Sequence, residues 1–122
     1  MSNHPIVHIE FSAVNREVLG KFYADLFGWH VEQIPDMNYA TFETHDGVGG
    51  GFNPVTDSNP AGTVIAYVGT DDVDATLAKL TKLGGKTLAP KAEIPGVGWF
   101  AIFADPSGNK VGLLQSLPMQ QP

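Results

Sequence analysis

The residues with the clearest capacity for chemistry lie near the start of the chain, where His8 and Glu10 stand two positions apart. In a β-strand, residues two apart lie on the same face. An imidazole and a carboxylate on one face can supply two ligands to a divalent cation, or can act as an acid–base pair. Glu43 or His45, from a neighbouring strand or turn, would be the third ligand of such a metal site.

Each of these two side chains has more than one interpretation. His8 is either a metal ligand, kept neutral and oriented by a carboxylate such as Glu10, or a structural histidine hydrogen-bonded in the wall of a polar pocket. Glu10 is a catalytic general base, a hydrogen-bond acceptor for a substrate, or a carboxylate that reaches water at the rim of a cavity.

The composition is that of one small globular domain. The chain has 122 residues, 43% of them hydrophobic and 16% charged, and a formal net charge of −6 at pH 7. Seven scattered basic residues do not suit the phosphate backbone of nucleic acid. The lack of cysteine excludes disulfides, thiolate ligands and cysteine nucleophiles. No apolar run approaches the ~20 residues of a membrane helix, and no signal-peptide features open the chain, so we expect a cytoplasmic protein with no membrane partner.

Hydrophobic periodicity predicts the element order βαβββ twice. In the first strand, Val7, Ile9 and Phe11 alternate with polar residues, and after it Asn15 is expected to cap a helix that Gly28 ends. The first unit is predicted over residues 5–54 and the second over residues 62–116, within a single domain 1–122. The predicted strands cover residues 5–12, 29–34, 39–44, 48–53, 63–68, 86–89, 98–104 and 110–115, and the two helices begin near residues 15 and 71.

The predicted fold class is therefore α+β, with two tandem βαβββ units that form a curled mixed-sheet trough and carry their helices outside. The uncovered sheet faces would line a concave cavity of the kind that binds small ligands. Strand parity places His8, Glu10 and Tyr67 on this lining, and the prediction also includes Gly50 and Phe52 of the fourth strand. The glycine run at 49–51 would widen the cavity or allow close approach of a ligand.

Four segments in this order carry a family resemblance: VHIEF at 7–11, FYADLFGW at 22–29, VGTDDVDA at 68–75 and FADPSGNKVGL at 103–113. With them the sequence resembles the vicinal oxygen chelate superfamily, which includes glyoxalase I, bleomycin-resistance proteins and extradiol dioxygenases. The resemblance covers nearly the whole chain and points to a glyoxalase-like branch. It implies the paired βαβββ fold and a homodimer, but no single reaction, because the fold hosts isomerases, lyases, oxygenases and non-enzymatic binders.

The same resemblance implies where a metal would be bound. Enzymes of the family hold a divalent cation with side chains from the first and fourth strands of each unit. His8 falls on the first of these positions, and the second lies within the run 49–51. The remaining two fall on Ile65 and Gly112, which offer no donor atom. With one ligand position of the usual four kept, a divalent metal is possible but disfavoured, and the glutamate that glyoxalase I needs is missing at Gly112.

Two functions follow as expectations. The first is a binding protein of the glyoxalase and bleomycin-resistance type, holding a small hydrophobic or aromatic molecule in the trough, with the family metal site mostly lost. The pocket residues of this prediction are His8, Glu10, Gly50, Phe52, Ile65, Tyr67 and Gly112. The alternative is a metal-dependent lyase or isomerase, similar to lactoylglutathione lyase, with a site rebuilt from His8 and Glu10.

Overall fold

The computed structural model describes residues 4–118 of the chain. Within this range the elements follow the order βαβββ twice, and the α+β fold class predicted from the sequence is confirmed. The first set is β1 (Ile6–Ala13), α1 (Arg16–Phe27), β2 (His30–Ile34), β3 (Tyr39–Glu43) and β4 (Gly50–Pro54), with a short 3-10 turn at Pro35–Met37. The second set is β5 (Val64–Gly69), α2 (Val73–Lys82), β6 (Lys86–Ile94), β7 (Gly98–Ala104) and β8 (Lys110–Ser116).

The chain divides into two compact units, which are described separately. The N-terminal unit is Val7–Ala66, and the C-terminal unit comprises the described parts of residues 1–6 and 67–122. The predicted division placed the units at 5–54 and 62–116.

The sheet of the N-terminal unit has the strand order β2-β3-β4-β1. Strands β1 and β4 are parallel, and the register pairs Glu10 with Gly51 and Phe11 with Phe52. The other two pairs are antiparallel, and β3 pairs with β4 so that Thr41 lies beside Gly51. Because β1 and β4 run in the same direction, the chain between them must cross over the sheet, and α1 makes this crossover.

Helix α1 begins and ends where the sequence predicts. The side chain of Asn15 accepts hydrogen bonds from the backbone N–H groups of Glu17 and Val18, which satisfies two donors that the helix itself leaves open. Gly28 ends the helix with φ 75°, and its N–H donates to the carbonyl of Ala24.

The core of the N-terminal unit is aromatic and lies between α1 and the sheet. Phe42 and Phe52 are buried there, and Phe11, Tyr23 and Trp29 pack against them. The rings make close contacts: the centroids of Trp29 and Phe42 are 4.6 Å apart and those of Tyr23 and Trp29 are 5.1 Å apart. Burial of such rings is the main favourable contribution to the stability of a unit this small.

The sheet of the C-terminal unit has the strand order β5-β8-β7-β6. Its core contains Val73 of α2, Ala101 of β7 and Leu113 of β8, all of them buried. Strand β6 runs to Ile94, five residues past the predicted range 86–89 and through Pro90. Since β6 lies at the end of this strand order, Pro90 can occupy it without breaking a central ladder.

No helix in the described part of the chain is long and apolar enough to cross a membrane.

The aromatic core generates a test of stability. Phe52 is fully buried, so its replacement in Phe52→Ala should lower the free energy of unfolding by about 3–5 kcal/mol. Val14, which is 85% exposed just before α1, is the control, and Val14→Ala should change the free energy of unfolding by less than about 0.5 kcal/mol. Urea denaturation followed by circular dichroism measures both values, and equal losses in the two variants would contradict this account of the core.

Candidate functional site

The polar residues of the N-terminal unit gather on the sheet face that α1 does not cover. Phe11 and Phe52 point to the helix side, so alternation turns His8 and Glu10 to the other side. The register places Gly51 of β4 beside Glu10 of β1 and Thr41 of β3 beside Gly51, so these three residues share one face. The structure thus confirms the same-face placement of the two residues that the sequence predicts.

Tyr39 of β3 reaches across β4 to this pair. Adjacent strands are ~4.8 Å apart, so a side chain that spans from β3 to β1 must pass over the strand between them. It passes over Gly51, where a side chain would overlap the ring and hydroxyl of Tyr39. The missing side chain at Gly51 is therefore what lets the phenol reach β1.

The hydroxyl of Tyr39 joins the imidazole and the carboxylate. It lies 2.7 Å from Nε2 of His8 and donates to Oε2 of Glu10 at 3.0 Å. A phenol has one proton, so a hydroxyl that donates to Glu10 must accept from His8, and Nε2 is then the protonated nitrogen of a neutral imidazole. The amide of Asn53 donates to the other carboxylate oxygen of Glu10 at 3.5 Å. We call His8, Tyr39, Glu10 and Asn53 the polar network.

The surroundings of the polar network favour the neutral imidazole. His8 is half-buried, and this burial lowers the pKa of His8 below its ordinary value of 6.5, because the charged form loses hydration. The rings of His8 and Tyr39 lie nearly parallel, 16° apart, with their centroids separated by 6.4 Å. A neutral imidazole and a phenol in this arrangement offer flat surfaces with polar edges.

The donors at this face do not fit a divalent cation. Within residues 4–118, no three side chains of the His, Cys, Asp and Glu types come together as a possible ligand group. Glu43 and His45, the predicted third ligands, are exposed and do not complete a site with His8 and Glu10. Among residues 4–118 of one chain, the rebuilt metal site expected as the alternative therefore gains no third ligand from Glu43 or His45.

Two of the predicted pocket residues lie on the other side of the sheet. Phe52 is fully buried in the aromatic core, and a side chain at Gly50 would meet the backbone of Ile9 and the ring of Phe42. Both therefore belong to the helix-facing side, away from the polar network. Parity selects Gly51 as the member of the glycine run that shares the face with His8, a choice that the sequence left open.

The other predicted pocket residues lie on β5 and β8. Ile65 is buried in the N-terminal unit. In the C-terminal unit Tyr67 is also buried and pairs with Gly112, where an added side chain would overlap its ring. A tyrosine ring thus lies against a strand glycine in each unit.

Tyr39 and Asn53 are residues of the polar network that the sequence alone does not identify. The alternation in β3 does put Tyr39 on the same face as Thr41 and Glu43, and the glycine run marks a place where space opens. What the sequence does not contain is the register, which decides that Tyr39 and Gly51 meet.

A shallow depression of about 220 Å³ lies elsewhere on the N-terminal unit, at the start of α1. Its lining includes Asn15, Arg16 and Glu17, and none of the predicted site residues takes part. Arg16 donates instead to the backbone carbonyl of Tyr39 at 3.2 Å, which ties α1 to the strand that carries the phenol.

Comparison with known proteins connects this geometry to a family. The glyoxalase-like domain family matches residues 8–114. The chain is 38% identical over 91 residues to "Putative glyoxylase CFP32" of Mycobacterium bovis, which covers 74% of this chain and 34% of that protein. It thus spans about a third of the length of this curated relative.

Solved structures share the fold at low sequence identity. Methylmalonyl-CoA epimerase from Mycobacterium tuberculosis superposes with a TM-score of 0.71 at 15% identity, covering 96% of this chain and 90% of that chain. A glyoxalase/bleomycin resistance protein/dioxygenase superfamily member from Vibrio splendidus gives a TM-score of 0.65 at 15% identity, covering 89% of this chain and 97% of that chain. At such identities the likeness concerns the fold alone.

The half-buried imidazole generates a pH test. Because burial lowers the pKa of His8, the unfolded chain takes up a proton near pH 6.5 that the folded chain does not yet accept. The free energy of unfolding should therefore fall as the pH drops below 6.5, and it should fall less in His8→Gln. Urea denaturation of both proteins at about pH 7.5 and about pH 5.5 measures this difference. An NMR titration of His8 with a midpoint above 6.5 would contradict the expectation.

Proposed function

This chain belongs to the glyoxalase-like domain family, and on that basis we propose that it binds a small aromatic or hydrophobic molecule on the face that carries the polar network. The observation that supports this proposal is the placement of His8, Tyr39 and Glu10 together, half-buried and hydrogen-bonded, on the face that α1 leaves uncovered. Ligand sites use a small number of fixed polar groups beside flat or apolar surface, and this face supplies the polar groups and the Tyr39 ring.

The charges favour a ligand with a hydrogen-bond donor or a positive charge. Glu10 accepts hydrogen bonds from the Tyr39 hydroxyl and the Asn53 amide, so its carboxylate is presented as an acceptor beside an aromatic ring. The formal net charge of −6 adds a weak attraction for cations over the whole molecule. We therefore propose an aromatic amine, whose ammonium group meets Glu10 while its ring packs on Tyr39, as the chemical class of the ligand.

A matched pair of probes tests the proposed function. 1-Naphthylmethylamine should raise the melting temperature more than 1-naphthylmethanol, because only the amine forms a charge-assisted hydrogen bond with Glu10. In Glu10→Gln the amine should bind about tenfold more weakly, which corresponds to about 1.4 kcal/mol. Thermal shift and isothermal titration calorimetry measure the two effects.

The control for this test is Glu32→Gln. Glu32 lies on β2 opposite Thr41 and is exposed, so its carboxylate shares the sheet but not the polar network. Amine affinity should be unchanged in this variant. If both glutamate variants weaken the amine equally, only general charge attraction is at work, and the proposed site is wrong.

A second function is favoured by the hydrogen-bonded order of imidazole, phenol and carboxylate. A neutral His8 protonated at Nε2 has Nδ1 as its basic nitrogen, and Tyr39 connects Nε2 to Glu10. Such a chain could accept a proton from a carbon acid, which would make the protein a metal-independent isomerase rather than a metal-dependent lyase.

Hydrogen exchange tests this second function. The probe is methylmalonyl-CoA, the compound in the name of the structurally similar epimerase. In D₂O the wild-type chain should exchange the hydrogen between the two carbonyl groups faster than buffer, and Tyr39→Phe should lose about 100-fold of the enhancement. Proton NMR follows the signal. Exchange at the buffer rate would exclude isomerase activity toward this compound, and the proposed binding function would be unaffected.

We also propose that the chain pairs with a second copy of itself. Val18, Phe22 and Leu26 follow one another along α1 at intervals of four residues, and all three are more than half exposed. An apolar stripe of this kind is normally covered in an assembly.

A further inference from the structure

We infer that the hydroxyl of Tyr39 stands in for a divalent cation between His8 and Glu10, so that this face works without a bound metal. The inference concerns the same site as the proposed function. Its test measures metal binding in the absence of any organic ligand, so the two proposals can fail separately.

The space between Nε2 of His8 and Oε2 of Glu10 is already occupied by the Tyr39 hydroxyl. A divalent cation such as Zn²⁺ lies about 2.0–2.2 Å from an imidazole nitrogen and from a carboxylate oxygen. Nε2 of His8 and Oε2 of Glu10 both point to one atom already, the Tyr39 hydroxyl, at 2.7 Å and 3.0 Å. These are hydrogen-bond distances, and an ion could enter between the two donors only if the phenol moved.

The Tyr39 phenol is a weak metal ligand, but it can link two hydrogen-bonding groups. A tyrosine hydroxyl has an ordinary pKa of about 10, so near neutral pH it is a protonated group and a weak metal ligand. As a hydrogen-bonding group, however, it accepts from one neighbour and donates to the other. It therefore holds His8 and Glu10 in a fixed relation, which a shared cation would otherwise do.

The position of the Tyr39 phenol depends on the missing side chain at Gly51. A side chain at position 51 would supply the next possible ligand beside Glu10, but it would also overlap the ring of Tyr39. The protein can have a ligand at 51 or a phenol over it, and not both. Position 51 is a glycine, so the phenol occupies this space and no ligand side chain does.

The C-terminal unit also has a tyrosine ring packed on a strand glycine, although there the tyrosine lies on the strand that pairs directly with the glycine. Gly112 of β8 pairs with Tyr67 of β5, and a side chain at Gly112 would overlap the Tyr67 ring. Gly51 and Gly112 are equivalent in that each is the strand glycine against which a tyrosine ring packs. In both units, therefore, the missing side chain of a strand glycine makes room for a tyrosine ring.

The experiment restores the metal ligand by removing the phenol. The double variant Tyr39→Ala/Gly51→His has imidazoles at 8 and 51 and a carboxylate at 10, the three donors that an open divalent site needs. Titration calorimetry with NiCl₂ or ZnCl₂ alone should show binding at least about tenfold tighter than to the wild-type chain, which should show no saturable binding near about 1 μM.

The matched control is Tyr39→Ala/Thr41→His. It has the same number of histidines and the same loss of the phenol, but Thr41 lies on β3, one strand farther from Glu10 than Gly51. Its metal affinity should stay near that of the wild-type chain. Equal affinities of the two double variants would overturn the inference, because the new imidazole would then act wherever it is placed.

Two measurements on the wild-type chain decide the question even if the double variant does not fold, which far-UV circular dichroism would reveal. Saturable binding of Ni²⁺ or Zn²⁺ near about 1 μM that is lost in His8→Ala would overturn the inference. Ferric nitrilotriacetate should give no visible charge-transfer band. A band that disappears in Tyr39→Phe would show that the phenol is itself a ligand and would equally overturn it.

Discussion

The arrangement of the candidate site depends on one steric constraint, the contact of the Tyr39 ring with the backbone of Gly51. Because position 51 has no side chain, a residue of β3 can reach over β4 and bond with two residues of β1. A side chain at 51 would displace the ring and break the hydrogen bonds by which Tyr39 links His8 to Glu10. The glycine therefore acts through the space that it leaves, rather than through a flexible backbone.

The polar network is held in place by the opposite side of the same strands. Phe11 and Phe52 anchor β1 and β4 in the aromatic core. The residues that alternate with them, such as Glu10 and Gly51, are thereby fixed on the face that α1 does not cover. Arg16 adds a second tie, from α1 to the backbone of Tyr39. Close packing on one side of the sheet thus fixes the positions of the polar side chains on the other.

Membership of the glyoxalase-like domain family and the chemistry of the site carry different information. The fold is set by apolar alternation, helix caps and turns, which this chain has in both units. The chemistry is set by a handful of positions, and here Ile65 and Gly112 offer no donor side chain at two positions where the family resemblance predicts ligands. A fold of this kind supports several chemistries because those few positions can change without disturbing the core.

The sequence by itself determined the order of the elements, the alternation that puts His8 and Glu10 on one face, and the helix ends at Asn15 and Gly28, because these depend on neighbours close in the chain. It did not determine that Tyr39 meets them, nor that Phe52 turns to the core and Gly51 to the site. Those facts depend on the register of β4 between β1 and β3, and a shift by one residue would reverse every facing. Only the tertiary structure decides that register, since it is fixed by packing between residues far apart in the chain.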